Sequence, residues 1–167
     1  MVGAKISRRA FGLGLGLIAV ARPALTETVV DLTWQDLLPK GEVVLPPELQ
    51  GLIDHDGPSM EGRQPMSTGV RTDWNGASVR LSGFVLPLDY QGTGVTAFML
   101  VPYVGACIHV PPPPANQLVL VTTETPYEVD GLFSAVTVTG MFGTASTSTQ
   151  LADIGYALSA EDIRAFR

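Results

Sequence analysis

The alternation of apolar and polar residues predicts β-strands over the C-terminal half of the chain. The stretch SVRLSGFVLPL alternates at first and then becomes wholly apolar at Phe84 to Leu86. A turn, DYQGTG, separates this stretch from a second apolar run, VTAFMLVP. Because a period of two residues is typical of a half-buried strand, residues 77–102 are predicted to form a β-hairpin. Gly83 in the first strand predicts a bulge or a strong bend there.

Three further runs complete a predicted set of five strands: QLVLVTT at 117–123, FSAVTVTGMFG at 133–143 and STQLADIGYALS at 148–159. Five short strands with glycines at the corners, Gly83 and Gly140, predict a mainly β fold, a small five-stranded OB-like Greek-key barrel. A β-sandwich is the alternative. Ser159, with Asp162 three residues later, has the spacing of a capping box and predicts a short C-terminal helix.

The segment before the barrel is predicted to be a loop-rich extension. TVVDLTW predicts a short first strand, and WQDLLP predicts a helical turn that ends at Pro39. Residues 40–76 are acidic and rich in proline and glycine, so they are expected to wrap the core rather than form a second domain. The 167 residues are 46% hydrophobic and only 16% charged, which is enough apolar material for one packed core. We therefore predict an extension over 26–76 and a barrel domain over 77–167.

The first 25 residues have the composition of a signal peptide. Lys5, Arg8 and Arg9 precede an uncharged, glycine-containing apolar run from Phe11 to Ala21. That run is too short to cross a bilayer as a helix, so no stable membrane span is predicted. The string SRRAFGL at 7–13 resembles the motif that the twin-arginine export machinery recognises. The sequence therefore predicts export to the periplasm through that machinery.

Loss of this segment would make the protein strongly acidic. Four of the ten basic residues and none of the sixteen acidic residues lie before Glu27, so the remaining chain carries a net charge of −10. Nucleic acid is excluded as a partner because phosphate binding depends on clustered Lys and Arg. The single cysteine, Cys107, cannot form an internal disulfide, so it is free, bound to a metal or joined to another molecule.

The rarest side chains of the sequence lie together in residues 102–117, PYVGACIHVPPPPANQ, which we call the proline loop. It holds Cys107, one of the two histidines (His109) and four consecutive prolines. Four prolines fix φ near −65° and donate no backbone hydrogen bonds, so they favour a rigid, exposed polyproline II segment. The proline loop connects the second and third predicted strands and is the predicted functional site.

GFVLPLD at 83–89, FMLVPYVGACIHVPPPPANQ at 98–117, VTVTG at 136–140 and GYALSA at 155–160 together carry a family resemblance. They resemble an uncharacterised family of exported bacterial proteins with a domain of unknown function, whose motif is V-P-Y-x-G-A-C-I-H-V-P-P-P-P-x-N-Q. The resemblance covers residues from Thr33 onward. It implies an ABC transporter or another envelope protein as a partner, and points to metal handling, because such proteins are often encoded beside transporter and metal-uptake components.

Cys107 and His109 are two residues apart, so in extended backbone their side chains project to the same side and can share a metal ion. Thiolate and imidazole are ligands of zinc and copper, and a zinc site normally needs three or four ligands. Asp89 and His55 are candidates for the remaining positions. We therefore expect an exported, non-enzymatic metal-binding or transport-accessory protein, with zinc or copper as the candidate cofactor.

Two alternatives remain open for the proline loop. It could dock a partner protein of the envelope, so that the protein is an adaptor. Otherwise, His109 could lower the pKa of Cys107 and make a thiol enzyme, although neighbours on one strand rarely reach the required geometry. The residues assigned to partner binding are the prolines, Tyr103 and the two polar residues that close the loop: Pro111, Pro112, Pro113, Pro114, Tyr103, Asn116 and Gln117.

Overall fold

The computed structural model describes residues 28–42, 64–108 and 112–166. The predicted signal peptide and residues 43–63 therefore lie outside the described residues. The described chain contains six strands and one 3-10 turn, Ala115–Gln117, and no α-helix. The strands are β1 (Val30–Asp31), β2 (Ser78–Gln91), β3 (Gly94–Val101), β4 (Val119–Tyr127), β5 (Ala135–Ser148) and β6 (Asp153–Ala165).

Strands β2 to β6 close into a barrel in the order β2-β3-β4-β6-β5 and back to β2. The pairs are antiparallel except for β4 and β6, which run parallel. The long strand β2 makes closure possible, because residues 78–84 pair with β5 and residues 84–91 pair with β3. Strand β1 pairs parallel to β2 at Val79 and Arg80, in the part of β2 that does not pair with β3. The predicted OB-like five-stranded barrel is therefore confirmed, with one extra strand.

Alternating side chains of the barrel strands form two apolar layers. Inward-facing residues fill the barrel, among them Leu81, Phe98 and Tyr156. Outward-facing residues of β2, β3 and β6, with Leu118 just before β4, form a second cluster on the outside, which we call the outer apolar face. Its buried strand residues are Leu86, Met99, Val101 and Ile154, and parts of the chain outside the sheet cover them.

The two corner glycines are required by close backbone approach. A Cβ on Gly83 would lie 2.8 Å from the Val101 carbonyl oxygen, and a Cβ on Gly140 would overlap with the Ser159 carbonyl oxygen. The β5–β6 register shifts between Thr139 and Gly140, as a bulge at this glycine would require. In β2 the register shifts fall between Pro87 and Tyr90, so the bulge predicted at Gly83 is wrong; the strong bend, given as the other possibility there, stays a prediction.

The predicted C-terminal helix is wrong, because residues 153–165 form β6 without interruption. Ser159 pairs with Thr122 of β4 and Met141 of β5, and Asp162 pairs with Thr139. A capping-box spacing is a local preference, and the hydrogen bonds of two neighbouring strands override it here.

The described parts of the N-terminal extension wrap one side of the barrel. The WQDLLP segment makes a single helical turn, with Leu37 and Leu38 fully or nearly fully buried. The hydroxyl of buried Tyr156 donates to the Leu37 carbonyl oxygen and accepts from the Arg71 backbone N–H, each at 2.7 Å. No helix in the described residues has the length and apolar character needed to span a membrane.

Candidate functional site: the proline loop

The proline loop leaves the barrel at the end of β3 and returns through the 3-10 turn to β4. Gly105 and Cys107 have positive φ values of 91° and 66°, and the Ile108 N–H donates to the Gly105 carbonyl oxygen at 3.2 Å. A glycine adopts this conformation freely, whereas a cysteine does so at a cost of about 1–2 kcal/mol. The Cys107 backbone is therefore held in place by its surroundings.

Those surroundings are the outer apolar face. Ala106 is fully buried in it, and Tyr103 and Cys107 pack against it. Phe133, the second non-glycine residue with positive φ (60°) in the described chain, packs against the same face from the β4–β5 connection. OB-folds commonly bind ligands on the exposed surface of the second and third barrel strands. In this protein the β3 residues Met99 and Val101 on that surface are apolar and buried, whereas Thr122 and Glu124 of β4 are exposed.

Burial makes Cys107 a weak nucleophile. Desolvation raises the pKa of its thiol from 9.0 to about 11. At neutral pH the side chain is therefore a protonated thiol packed on an apolar surface, not a thiolate.

The predicted metal ligands are only partly described. His109 and His55 lie outside the described residues, and Asp89 is exposed near the end of β2, where it accepts a hydrogen bond from the Tyr90 N–H. The described ranges contain no group of three or more His, Cys, Asp or Glu side chains that could hold a metal ion. Metal binding by Cys107 and His109 therefore stays a prediction.

The proline run is less exposed than its composition suggests. Pro111 lies outside the described residues, Pro112 and Pro113 are buried, and Pro114 is half-buried with the polyproline II angles φ −56° and ψ 155°. The Gln64 side chain reaches the Pro113 carbonyl oxygen at 2.9 Å and also pairs with the backbone of Asp153. The extension therefore contacts the proline run at Pro113, and the prediction of an exposed polyproline II segment is wrong at Pro112 and Pro113.

The two polar residues that close the loop are also internal. Asn116 and Gln117 are only 1% and 3% exposed. Their amide groups bind the Gly69 carbonyl oxygen at 3.0 Å and the Trp34 carbonyl oxygen at 2.9 Å, respectively. Both side chains therefore attach the extension to the barrel, and neither presents a surface to a partner.

Sequence reasoning missed the residues that the loop does expose. Val104 is 61% exposed and Ile108 is 45% exposed, although both are large and apolar. They flank Ala106 and Cys107, which point into the outer apolar face. One sequence signal could have found them, because no Asp, Glu, Lys or Arg occurs between Asp89 and Glu124 in this otherwise acidic chain.

The fold and the loop together define a class of protein: a small OB-like barrel whose outer apolar face is partly covered by an uncharged, proline-rich loop. The chain belongs to the family described as protein of unknown function (DUF3299), which matches residues 34–165.

The fold recurs in a solved relative. The crystal structure of a DUF3299 family protein from Pseudomonas aeruginosa PAO1, at 2.45 Å resolution, is 35% identical to this chain with a TM-score of 0.68. The match covers 84% of this chain and 97% of that one. No curated protein matches the sequence significantly.

Proposed function

We propose that this protein is an exported, non-enzymatic adaptor of the cell envelope, and that its proline loop docks a partner protein. The observation that carries the proposal is the exposure of Val104 and Ile108 on a loop whose other side is anchored to the barrel. Exposed apolar side chains on a rigid support are favourable for association, because little conformational entropy is lost when a partner covers them.

The chemistry of the loop agrees with binding rather than catalysis. The raised pKa of Cys107 leaves little thiolate at neutral pH, which disfavours a thiol enzyme. The lack of charge between Asp89 and Glu124 suits an apolar contact. An ABC transporter or another envelope protein is the partner that the family resemblance suggests.

The test is affinity capture of tagged protein from its native envelope, with quantification of what co-purifies. The double variant Val104→Ser, Ile108→Ser should lose at least ten-fold of the captured partner, because it removes the exposed apolar contacts without touching the buried side of the loop. Tyr90→Ser is the matched control, since Tyr90 is an exposed apolar residue on the β2–β3 hairpin. Equal recovery with both variants would contradict docking through the loop.

Metal binding is the second candidate, and the positive φ of Cys107 favours it. Strained backbone conformations in non-glycine residues cluster at ligand-binding positions. Under this proposal Cys107 and His109 hold zinc or copper, and His55, Asp89 or a partner completes the ligand set. Because the thiol is protonated near neutrality, metal uptake would release a proton and weaken as the pH falls.

Elemental analysis of protein isolated from its native envelope tests this candidate. About one equivalent of zinc or copper is expected in the native protein and none in Cys107→Ser or His109→Ala. The same metal content in all three proteins would refute it. The partner-capture experiment would be unaffected by that result.

A further inference from the structure

The barrel closes between β4 and β6 over only part of their length, in keeping with the partly open barrel of OB-folds. Residues 156–160 of β6 pair with β4, whereas residues 162–165 pair with β5 alone among the described strands. The end of β4, from Glu124 to Tyr127, likewise has no described partner on its β6 side. One side of the β6 backbone at 161–165 therefore faces no strand of the described chain. We call this stretch the open edge.

The open edge exposes part of the barrel interior. Ile163 lies opposite Val138 of the buried core, so its side chain faces the inside of the barrel, and Ala165 faces the same way because it is two residues further along the strand. Nevertheless, Ile163 is only half-buried and Ala165 is exposed. A strand added here would cover both side chains while it completed the hydrogen bonds of β6. Main-chain bonds and contacts with alternate side chains are what strand addition requires.

Exposed carboxylates border the open edge. Glu124 and Glu161 follow directly after the last residue pair between the two strands, so they occupy neighbouring positions on β4 and β6. Both are exposed, and neither forms an ion pair with another described residue. Arg164 is the only basic residue of the open edge, and its guanidinium group is paired with Asp162 at 2.7 Å. Like charges on adjacent strands repel each other, so this edge favours a positively charged neighbour.

This charge decides which strand the edge can accept. A second copy of the chain would bring another set of acidic side chains to the same place, and natural edge strands use such charges to prevent self-pairing. A segment that alternates basic and apolar residues has the opposite effect. Because alternate side chains of a strand point to opposite faces, its apolar residues would meet Ile163 while its basic residues lay on the exposed face, near Glu124 and Glu161.

We propose that the open edge binds an extended, basic segment of a partner protein by strand addition. The segment forms main-chain hydrogen bonds with β6, covers Ile163 and Ala165 with its apolar side chains, and places lysine or arginine near Glu124 and Glu161. The main-chain bonds provide affinity, and the side-chain pattern selects the segment. The open edge includes no residue of the proline loop, so this proposal does not depend on docking through that loop.

Fluorescence anisotropy with three labelled peptides of equal length, added to the full chain, tests the proposal. The probe alternates lysine and valine. The second peptide alternates glutamate and valine, and the third has the sequence of the probe with methylated backbone nitrogens. We expect saturable binding of the probe and no binding of the glutamate peptide. The methylated peptide should bind about ten-fold more weakly than the probe, because its backbone cannot donate hydrogen bonds to β6.

Two charge-matched double variants locate the site. Glu124→Gln with Glu161→Gln should weaken binding of the probe about ten-fold. Asp31→Asn with Asp153→Asn removes the same charge from exposed positions on β1 and at the start of β6, and should change binding less than about two-fold.

Three results would overturn the proposal. If the probe does not bind, the carboxylates only protect the edge from self-association. If the methylated peptide binds as well as the probe, charge alone accounts for the contact. If both double variants weaken binding equally, the peptide is attracted by the net charge of the protein and not by the open edge.

Discussion

Tyr156→Phe tests how the extension is attached to the barrel. Tyr156 lies on β6, is fully buried and stacks on Phe142 with ring centroids 5.2 Å apart. Its hydroxyl bridges two backbone groups of the extension, the Leu37 carbonyl oxygen and the Arg71 N–H. Phenylalanine keeps the ring and its packing, so the substitution removes only this bridge.

The expected loss follows from the two groups left behind. A buried backbone group without its partner costs about 1–3 kcal/mol. Leu37 is fully buried, whereas Arg71 is half-buried and water can reach part of it, so the loss should total about 2–4 kcal/mol. For a chain of this size that corresponds to a fall in Tm of about 5–12 °C.

Chemical denaturation of the native and variant proteins measures this loss directly. Tyr127→Phe is the matched control, because Tyr127 is half-buried and its hydroxyl has no hydrogen bond to another described residue. The control should lose less than about 0.5 kcal/mol. If the Tyr156→Phe loss is no greater than that of the control, the extension is not held by the hydroxyl bridge and the attachment argued above is wrong.

Three further predictions concern the thiol, a corner glycine and an acidic turn. Cys107 should react slowly with iodoacetamide at pH 7.5 and faster only as the pH approaches its pKa of about 11, so rapid alkylation of folded protein near neutrality would contradict its burial. Gly140→Ala should lower the free energy of unfolding by more than about 3 kcal/mol, because the new Cβ would overlap with the Ser159 carbonyl oxygen. The control Gly143→Ala should lower it only slightly, because its Cβ would come no nearer than 3.9 Å to Asn75 Oδ1. Similar unfolding midpoints for the two variants would refute the steric argument. Hydrogen bonds from the Thr33 hydroxyl and N–H lower the pKa of the Asp36 carboxyl group in the folded protein. They therefore stabilise the fold at a pH above the pKa that Asp36 has in the unfolded chain, and this stabilisation is lost as the pH falls through the lower pKa of the folded state. Asp36→Asn should therefore flatten the acid limb of a pH–stability curve, and an unchanged limb would count against this account.

The strands of the barrel could be predicted from the sequence, because their pattern is local. Leu81 and Val85, for example, belong to the buried core, and the alternation of apolar and polar residues with a period of two is enough to predict strand structure there. The structure of the C-terminal end could not be predicted from the sequence, because Ser159 and Asp162 carry a local helix signal. Their strand partners, Thr122 and Thr139, lie far away in the sequence. Local propensity is weak compared with a complete set of strand hydrogen bonds.

The proline loop divides in the same way. Its rigidity follows from its own residues, since consecutive prolines restrict φ wherever they occur, and Pro114 has the polyproline II angles. The exposure of the loop does not follow from its own residues, because segments distant in the sequence pack against it. Gln64 binds the Pro113 carbonyl oxygen, and Asn116 and Gln117 are buried. The sequence by itself determined a β-barrel and a stiff, uncharged connection between two strands. Only the tertiary structure decided which side of that connection faces solvent, because burial depends on packing between segments that no local pattern records.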